Sequence, residues 1–233
     1  MKIRCVWEHN GDDTLLYAVD FVGAYTRGDS LEKAVAKMPE EIQLYAKWAG
    51  VEALCDIEVE IAQEKVSSLQ IADADSDVIF DDEAAPLSAE EYERLKALAL
   101  KSAEDFHALY SSVPDADAVI SENTGTFYGK KPKTAREMYE HTKSVNGYYF
   151  AEIDVDADNS GTIYECRKRG FELLEKKRGF LSAGAYEGSY GEMWSVKKVL
   201  RRFIWHDRIH AKAMYRRAKA HFGDDKIDNP FVF

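Results

Sequence analysis

Ser195–His221 reads SVKKVLRRFIWHDRIHAKAMYRRAKAH. At 100° per residue, Val196, Val199, Leu200, Phe203, Ile204, Ala211, Met214 and Ala218 fall on one face of a helix. Lys197, Lys198, Arg201, Arg208, Lys212, Arg216 and Lys219 fall on the opposite face, which is expected to be a solvated exterior, the alternative being a phosphate-binding face. Three polar residues break the division. Asp207 lies near the centre of the apolar face, and His206 and His210 lie on its flank. A carboxylate buried there needs a partner such as an imidazole N–H, a metal-bound water or an arginine. His206 and His210 are four residues apart, so their rings leave the same side of the helix roughly 5–6 Å apart at Cβ.

Three more amphipathic helices are predicted upstream. Ser88 with Glu91 three residues on is a capping-box pattern, and Tyr92, Leu95, Ala99, Phe106, Leu109, Tyr110 and Val113 form a stripe behind it. A helix over about 134–153 carries Met138, Val145, Tyr148 and Tyr149 on an apolar arc, with His141 inside that arc. A helix over about 162–177 turns Ile163, Cys166, Gly170, Leu173 and Leu174 inward. Four such helices suggest an up-and-down four-helix bundle over residues 87–233.

Residues 1–70 read differently. Ile3, Cys5 and Trp7 alternate with polar residues, as do Leu15, Tyr17, Val19 and Phe21, which marks strands with one buried face. Asn10-Gly11-Asp12-Asp13 between them is turn chemistry. Asp29-Ser30 caps a helix with the stripe Leu31, Val35, Met38, Ile42 and Tyr45, and Gly50 stops it. Val51–Val66 alternates again and is expected to be a strand. The fold class is therefore α+β with two domains, a small α+β unit and a helical bundle. Residues 71–92 between them hold eight acidic residues and no lysine or arginine, with Pro86 near the end. They are expected to form a solvated linker (71–86 in the domain division), the alternative being an acidic docking segment.

A chain of 233 residues is long enough to bury a core without staples. The formal net charge of −11 disfavours bulk attraction to nucleic acid. The charge is uneven: residues 1–92 carry 7 basic and 21 acidic side chains, which leaves about +3 on residues 93–233. Cys5, Cys55 and Cys166 are odd in number and form no CxxC, so no disulfide framework and a reducing, cytoplasmic setting are expected. No signal peptide and no apolar run of the roughly 20 residues needed to span a bilayer are legible.

A third imidazole, from His141, could close a three-nitrogen site with His206 and His210. Such a site leaves positions open for water or substrate, the arrangement of a catalytic metal. Neutral imidazole suits zinc, nickel, iron or copper. Asp207 or Glu137 is expected behind a ligating ring, fixing its tautomer. The competing reading makes the three histidines satisfied core residues. A further rival takes His206-Asp207-Arg208-Ile209-His210 as a variant HExxH helix with Asp207 as general base. His9, His107 and His221 read as surface residues. Two glycine-bearing stretches, Phe180–Gly191 and Thr124–Gly129, precede the long helix and the His141 helix. The first fits a mobile lid or a plain connection, and the second does not match a P-loop.

The stretches Thr134–His141 and Val199–His210 give residues 87–223 a resemblance to the DinB-like superfamily of metal-binding four-helix bundles. The first resembles the helix supplying that family's single histidine, and the second the helix supplying its HxxxH pair. The resemblance implies His141, His206 and His210 as metal ligands, a low-molecular-weight thiol as cosubstrate, and a homodimer. Phe21–Ala34 gives residues 1–50 a resemblance to the HicB-like antitoxin fold, an α/β-sandwich unit that binds a small protein partner. In that family a DNA-binding segment usually follows, and none is legible here.

Two functions follow as expectations. The first is a metal-dependent hydrolase or thiol-dependent transferase acting on a small molecule, with the divalent ion (zinc, nickel or iron) on the three histidines and Asp207 orienting a ligand or shuttling a proton. The second is a non-enzymatic binding or regulatory protein, with a partner-binding N-terminal module and a bundle that senses a metal or is merely structural.

Overall fold

The computed structural model describes residues 1–52, 55–121 and 131–233. The described chain runs β1 (Lys2–Asn10), β2 (Asp13–Ala18), β3 (Tyr25–Gly28), α1 (Leu31–Ala49), β4 (Glu58–Val66), α2 (Ala89–Ser112), α3 (Ala135–Ala151), α4 (Ile163–Leu174), β5 (Tyr186–Glu187), β6 (Met193–Trp194) and α5 (Val196–Phe222). The fold is α+β, with a four-stranded sheet, a two-stranded sheet and five α-helices among the described residues. It divides into two compact units, one of Met1–Leu95, Leu181–Arg201 and Val232, the other of Lys96–Phe180, Arg202–Phe231 and Phe233. No helix among the described residues is long and apolar enough to cross a membrane.

In the first unit the sheet order is β3-β2-β1-β4. The β1–β2 and β2–β3 pairs are antiparallel, and β4 runs parallel to β1 with a register shift at Cys5/Val6. Gly11, at φ +59°, makes the β1–β2 turn. The Ser30 side chain caps α1 by accepting from Lys33 N, and Gly50 closes it in the left-handed conformation. Met38, Ile42, Tyr45 and Trp48 of α1 are buried. The strand expected over Val51–Val66 is confined to Glu58–Val66. Asp56 sits at φ +51°, which extended backbone does not allow, and residues 53 and 54 lie outside the described residues.

The acidic segment is packed, contrary to the solvated linker expected of it. Ile71, Val78, Phe80 and Leu87 are buried, and so is Glu83. The reason is that its polar groups meet partners within the unit. Glu8, fully buried on β1, accepts from the Tyr17 hydroxyl, the Ser76 hydroxyl and the backbone N–H of Asp77 and Val78. Glu83 forms a two-pronged ion pair with Arg201, which also donates to the Val78 carbonyl at 2.8 Å. The Arg201 guanidinium lies 3.9 Å from the Phe80 ring centroid. Lys198 is buried as well, donating to the carbonyls of Asp77 (2.8 Å) and Met193 (2.7 Å) and pairing with Glu192 at 2.8 Å.

Lys198, Arg201 and Arg208 therefore do not form the solvated exterior expected of them. Every residue of α5 from Lys198 to Ile209 is buried. The segment expected as lid or connection folds into a short 3₁₀ turn, Phe180–Ser182, and the β5–β6 hairpin.

The second unit is helical. Thr134 and Thr162 open α3 and α4 with complete capping boxes, each pairing with a glutamate three residues on. Phe150 packs against Phe171 and Phe203, with ring centroids 5.3 and 5.1 Å away. Gly170 permits this, because a Cβ there would lie 2.0 Å from the Phe150 ring. The buried face of α3 runs Ala135, Met138, Tyr139, Thr142, Asn146, Tyr149 and Phe150. It is rotated away from the expected arc, leaving Tyr148 and His141 exposed. The stripe of α4 includes Arg167, buried where only apolar residues were expected.

Removing one partner of a buried ion pair leaves the other charge uncompensated, at a cost of about 3–5 kcal/mol. Glu83→Gln is expected to lose about that much stability in urea unfolding, whereas substitution of a solvated linker residue would change it by less than about 0.5 kcal/mol.

Candidate metal centre

The candidate centre lies wholly in the helical unit. The Thr134 hydroxyl accepts from Glu137 N at 3.1 Å, and the Glu137 carboxylate accepts in return from the N–H groups of Lys133 (2.7 Å) and Thr134 (3.3 Å). This cap fixes the start of α3 and with it the direction of His141, two turns along. Glu137 is thereby spent on the helix end, and it does not stand behind an imidazole as expected.

His141 of α3 meets His206 and His210 of α5. Ring centroids are 5.5 Å apart for His141–His206, 4.8 Å for His141–His210 and 4.4 Å for His206–His210. One ring nitrogen from each histidine lies within 4.8 Å of the other two. The Nε2 atoms of His206 and His210 face each other at 3.1 Å. Two nitrogens on one tetrahedral zinc, with bonds of 2.0–2.1 Å, stand about 3.3 Å apart. The pair on α5 thus has nearly the spacing of two ligands, and a ring nitrogen of His141 lies within 4.8 Å of both. His206 is buried, His210 half-buried and His141 exposed, so the cluster is walled by α5 and reached by water at His141.

Electrostatics keeps the three rings neutral, the form that donates a lone pair to a metal. Burial, then the neighbouring His210 and His141, holds His206 well below the usual histidine value. Burial and His141 push His210 down to about 3. Partial desolvation lowers His141 also. No carboxylate among the described residues joins the cluster. The buried Nδ1 of His206 has no hydrogen-bond partner among them, so no side chain fixes its tautomer.

Asp207 takes another role than the expected one of orienting a ligand or moving a proton. Both its oxygens are held by the Arg167 guanidinium, one at 3.0 Å, with both side chains fully buried. Arg167 also donates to the Ala99 carbonyl at 3.2 Å and lies 4.3 Å from the Phe203 ring centroid. Of the three partners the sequence allowed for Asp207, the arginine is the one present. The HExxH variant consequently lacks its general base.

Arg167 itself was missed by the sequence reading. Its signal was its position beside Cys166, on the inward stripe of α4, together with the unmet need of Asp207. A second omission is the Asp156-x-Asp158-x-Ser160-Gly161 spacing, which resembles the start of a calcium loop. Here Arg169 donates to the Asp158 carboxylate (2.6 Å) and to the Ser160 carbonyl (2.6 Å) and hydroxyl (2.8 Å), and the position of the closing glutamate is Arg167. An internal cation takes those oxygens.

The remaining histidines stand apart from the cluster. His107, expected at the surface, is half-buried and shares a 3.0 Å hydrogen bond with the Tyr139 hydroxyl. His9 stacks on Trp7 at 4.0 Å, and His221 is exposed. Thr124–Gly129 lies outside the described residues.

Comparison with known proteins finds no matching family model, no matching curated protein and no matching solved structure.

Two outcomes are expected. Asp207→Asn should cost about 3–5 kcal/mol in urea unfolding, while replacing Asp207 and Arg167 together by leucine and methionine should recover most of it. An additive double variant would contradict a paired role. In chelator-treated protein the three imidazoles bind protons more weakly when folded than at the unfolded value of 6.5. Stability is therefore full above about pH 6.5 and is lost as the pH falls below it. The urea midpoint should drop from pH 7 to pH 5, and drop less in a His206→Leu/His210→Leu variant. Equal slopes would show that these rings do not carry the effect.

Proposed function

We propose that this chain is a metal-dependent enzyme whose divalent ion is held by His141, His206 and His210, with hydrolytic or thiol-dependent transfer chemistry on a small molecule. The observation that supports it is the convergence of one nitrogen from each of three neutral imidazoles within 4.8 Å. Bound there, a zinc, nickel or iron ion would acidify a water or a thiol and polarise an oxyanion. The protein's own part is positioning. The capping box sets the direction of His141, and the Arg167–Asp207 pair sets the rotation of α5 beneath His206. On this reading the helical unit is a DinB-like four-helix bundle, the sheet-bearing unit is a HicB-like sandwich, and three free cysteines suit a reducing cytoplasm.

One observation favours the non-enzymatic alternative. No carboxylate accompanies the imidazoles among the described residues, so no side chain there serves as a general base. A metal-sensing or structural centre in a binding protein needs none.

Metal analysis of the untagged, chelator-treated full chain after zinc or nickel loading should give about one ion per chain, and His206→Ala should lose it. Full stoichiometric binding by that variant would remove the site. If the ion binds, turnover of thiol conjugates or esters by the loaded protein favours the enzyme, and its absence favours the binding protein.

A further inference from the structure

His206 is the buried member of the cluster, and no atom among the described residues hydrogen-bonds its Nδ1. A ligating histidine ordinarily donates its other ring N–H to a carboxylate or a carbonyl, and that bond sets the direction of the ring. Rotation about the Cβ–Cγ bond of histidine is broad and roughly two-fold, so an imidazole without such a bond is turned by whatever packs against it. The His206 ring nevertheless stands with Nε2 3.1 Å from Nε2 of His210. Packing has to supply the direction.

The packing is aromatic. Tyr149 of α3 meets the His206 ring edge to face, with centroids 6.1 Å apart and planes at 81°. Trp205, the preceding residue of α5, lies 6.3 Å away at 56°. Both fall in the range of attractive aromatic pairs, about 4.5–7 Å between centroids. Arg202, one turn before His206, lies over both rings, its guanidinium 5.2 Å from the Tyr149 centroid and 5.1 Å from that of Trp205. A cation is attracted to an aromatic face, so Arg202 ties the two rings together. Phe203 backs Tyr149 at 5.4 Å. Tyr149, Trp205, Arg202 and His206 are all buried, and all belong to the helical unit.

We propose that Tyr149 is a positioning residue of the metal centre: its ring, braced by Arg202 and Trp205, holds the His206 imidazole with Nε2 turned to the ion. The inference rests on the metal reading above and adds to it how a ligand without a hydrogen-bonded second nitrogen is aimed. An aromatic wall suits that task, because it fixes a ring plane without placing an acid beside the ion. Tyr149 gives the ion no ligand atom in this scheme.

The test is titration of the full chain with cobalt(II), a divalent ion of the same series as zinc, followed by its d–d absorption. The band reports affinity and ligand geometry together. Tyr149→Met fills the space without a ring. It is expected to weaken cobalt binding about tenfold, the lower end of what loss of a supporting residue costs a metal site, and to change the band. Tyr149→Phe keeps the ring and should restore the wild-type affinity and spectrum. Phe150→Met removes a ring as deeply buried on the same helix, one that packs on Phe171 and Phe203. It should lower the urea midpoint and leave the cobalt titration unchanged. Trp205→Met should repeat the Tyr149→Met result, and it takes the place of that variant if Tyr149→Met does not fold. Wild-type affinity and spectrum in Tyr149→Met, or an equal loss in Phe150→Met, overturns the proposal and leaves the metal centre standing. No cobalt binding by the wild-type chain, or binding that survives His206→Ala, overturns the metal reading and this inference with it.

Discussion

Burial of α5 is the constraint on which the rest depends. From Lys198 to Ile209 every residue of this helix is buried, yet the stretch includes Lys198, Arg201, Arg202, His206, Asp207 and Arg208. Three of these charges meet an opposite one, and Arg202 and Arg208 lie over aromatic rings. Arg201 meets Glu83, Lys198 meets Glu192, and Asp207 meets Arg167. Forked arginine–carboxylate pairs hold only in one geometry. Within the helical unit the Asp207–Arg167 pair holds the part of α5 that carries His206 and His210. Breaking such a pair is costly, although apolar residues of similar volume replacing both partners often do as well.

The histidine cluster differs from the pattern in which a carboxylate supports each ligating imidazole. The two acids suited to that task by sequence, Glu137 and Asp207, are committed elsewhere, one to a helix cap and the other to a buried pair. The rings are kept neutral by desolvation and by one another. On the proposed reading, a bound ligand would have to supply both the charge balance and any proton transfer. His141 is the exposed member of the cluster.

Much of the architecture was legible from periodicity. The α1 stripe with its Ser30 and Gly50 stops, and the Ser88 cap on the Glu91 N–H, express local rules that tertiary contacts did not override. The His206–His210 pair was legible because i, i+4 spacing is a property of one helix, whereas His141, expected inside the apolar arc of α3, is exposed. What was not legible depended on partners remote in sequence. The acidic segment looked solvated because its composition was weighed without Arg201, which pairs with Glu83, Lys198, which bonds the Asp77 carbonyl, and Glu8, which accepts from Ser76, Asp77 and Val78. The basic face of α5 looked exposed for the same reason seen from the other side. The apolar arc of α3 was misplaced because Tyr148 and Val145 are apolar enough to suggest a core, while the buried positions include Thr142 and Asn146, which bond to backbone carbonyls.

The central claim is that imidazoles from α3 and α5 share one ion. Anomalous diffraction at the zinc edge, from crystals of the full chain grown with zinc, tests it most directly. The account predicts one strong peak within about 2.0–2.1 Å of a ring nitrogen of His141, His206 and His210 together. A peak bound to the α5 pair alone with His141 turned away, or no peak at the cluster, would contradict it.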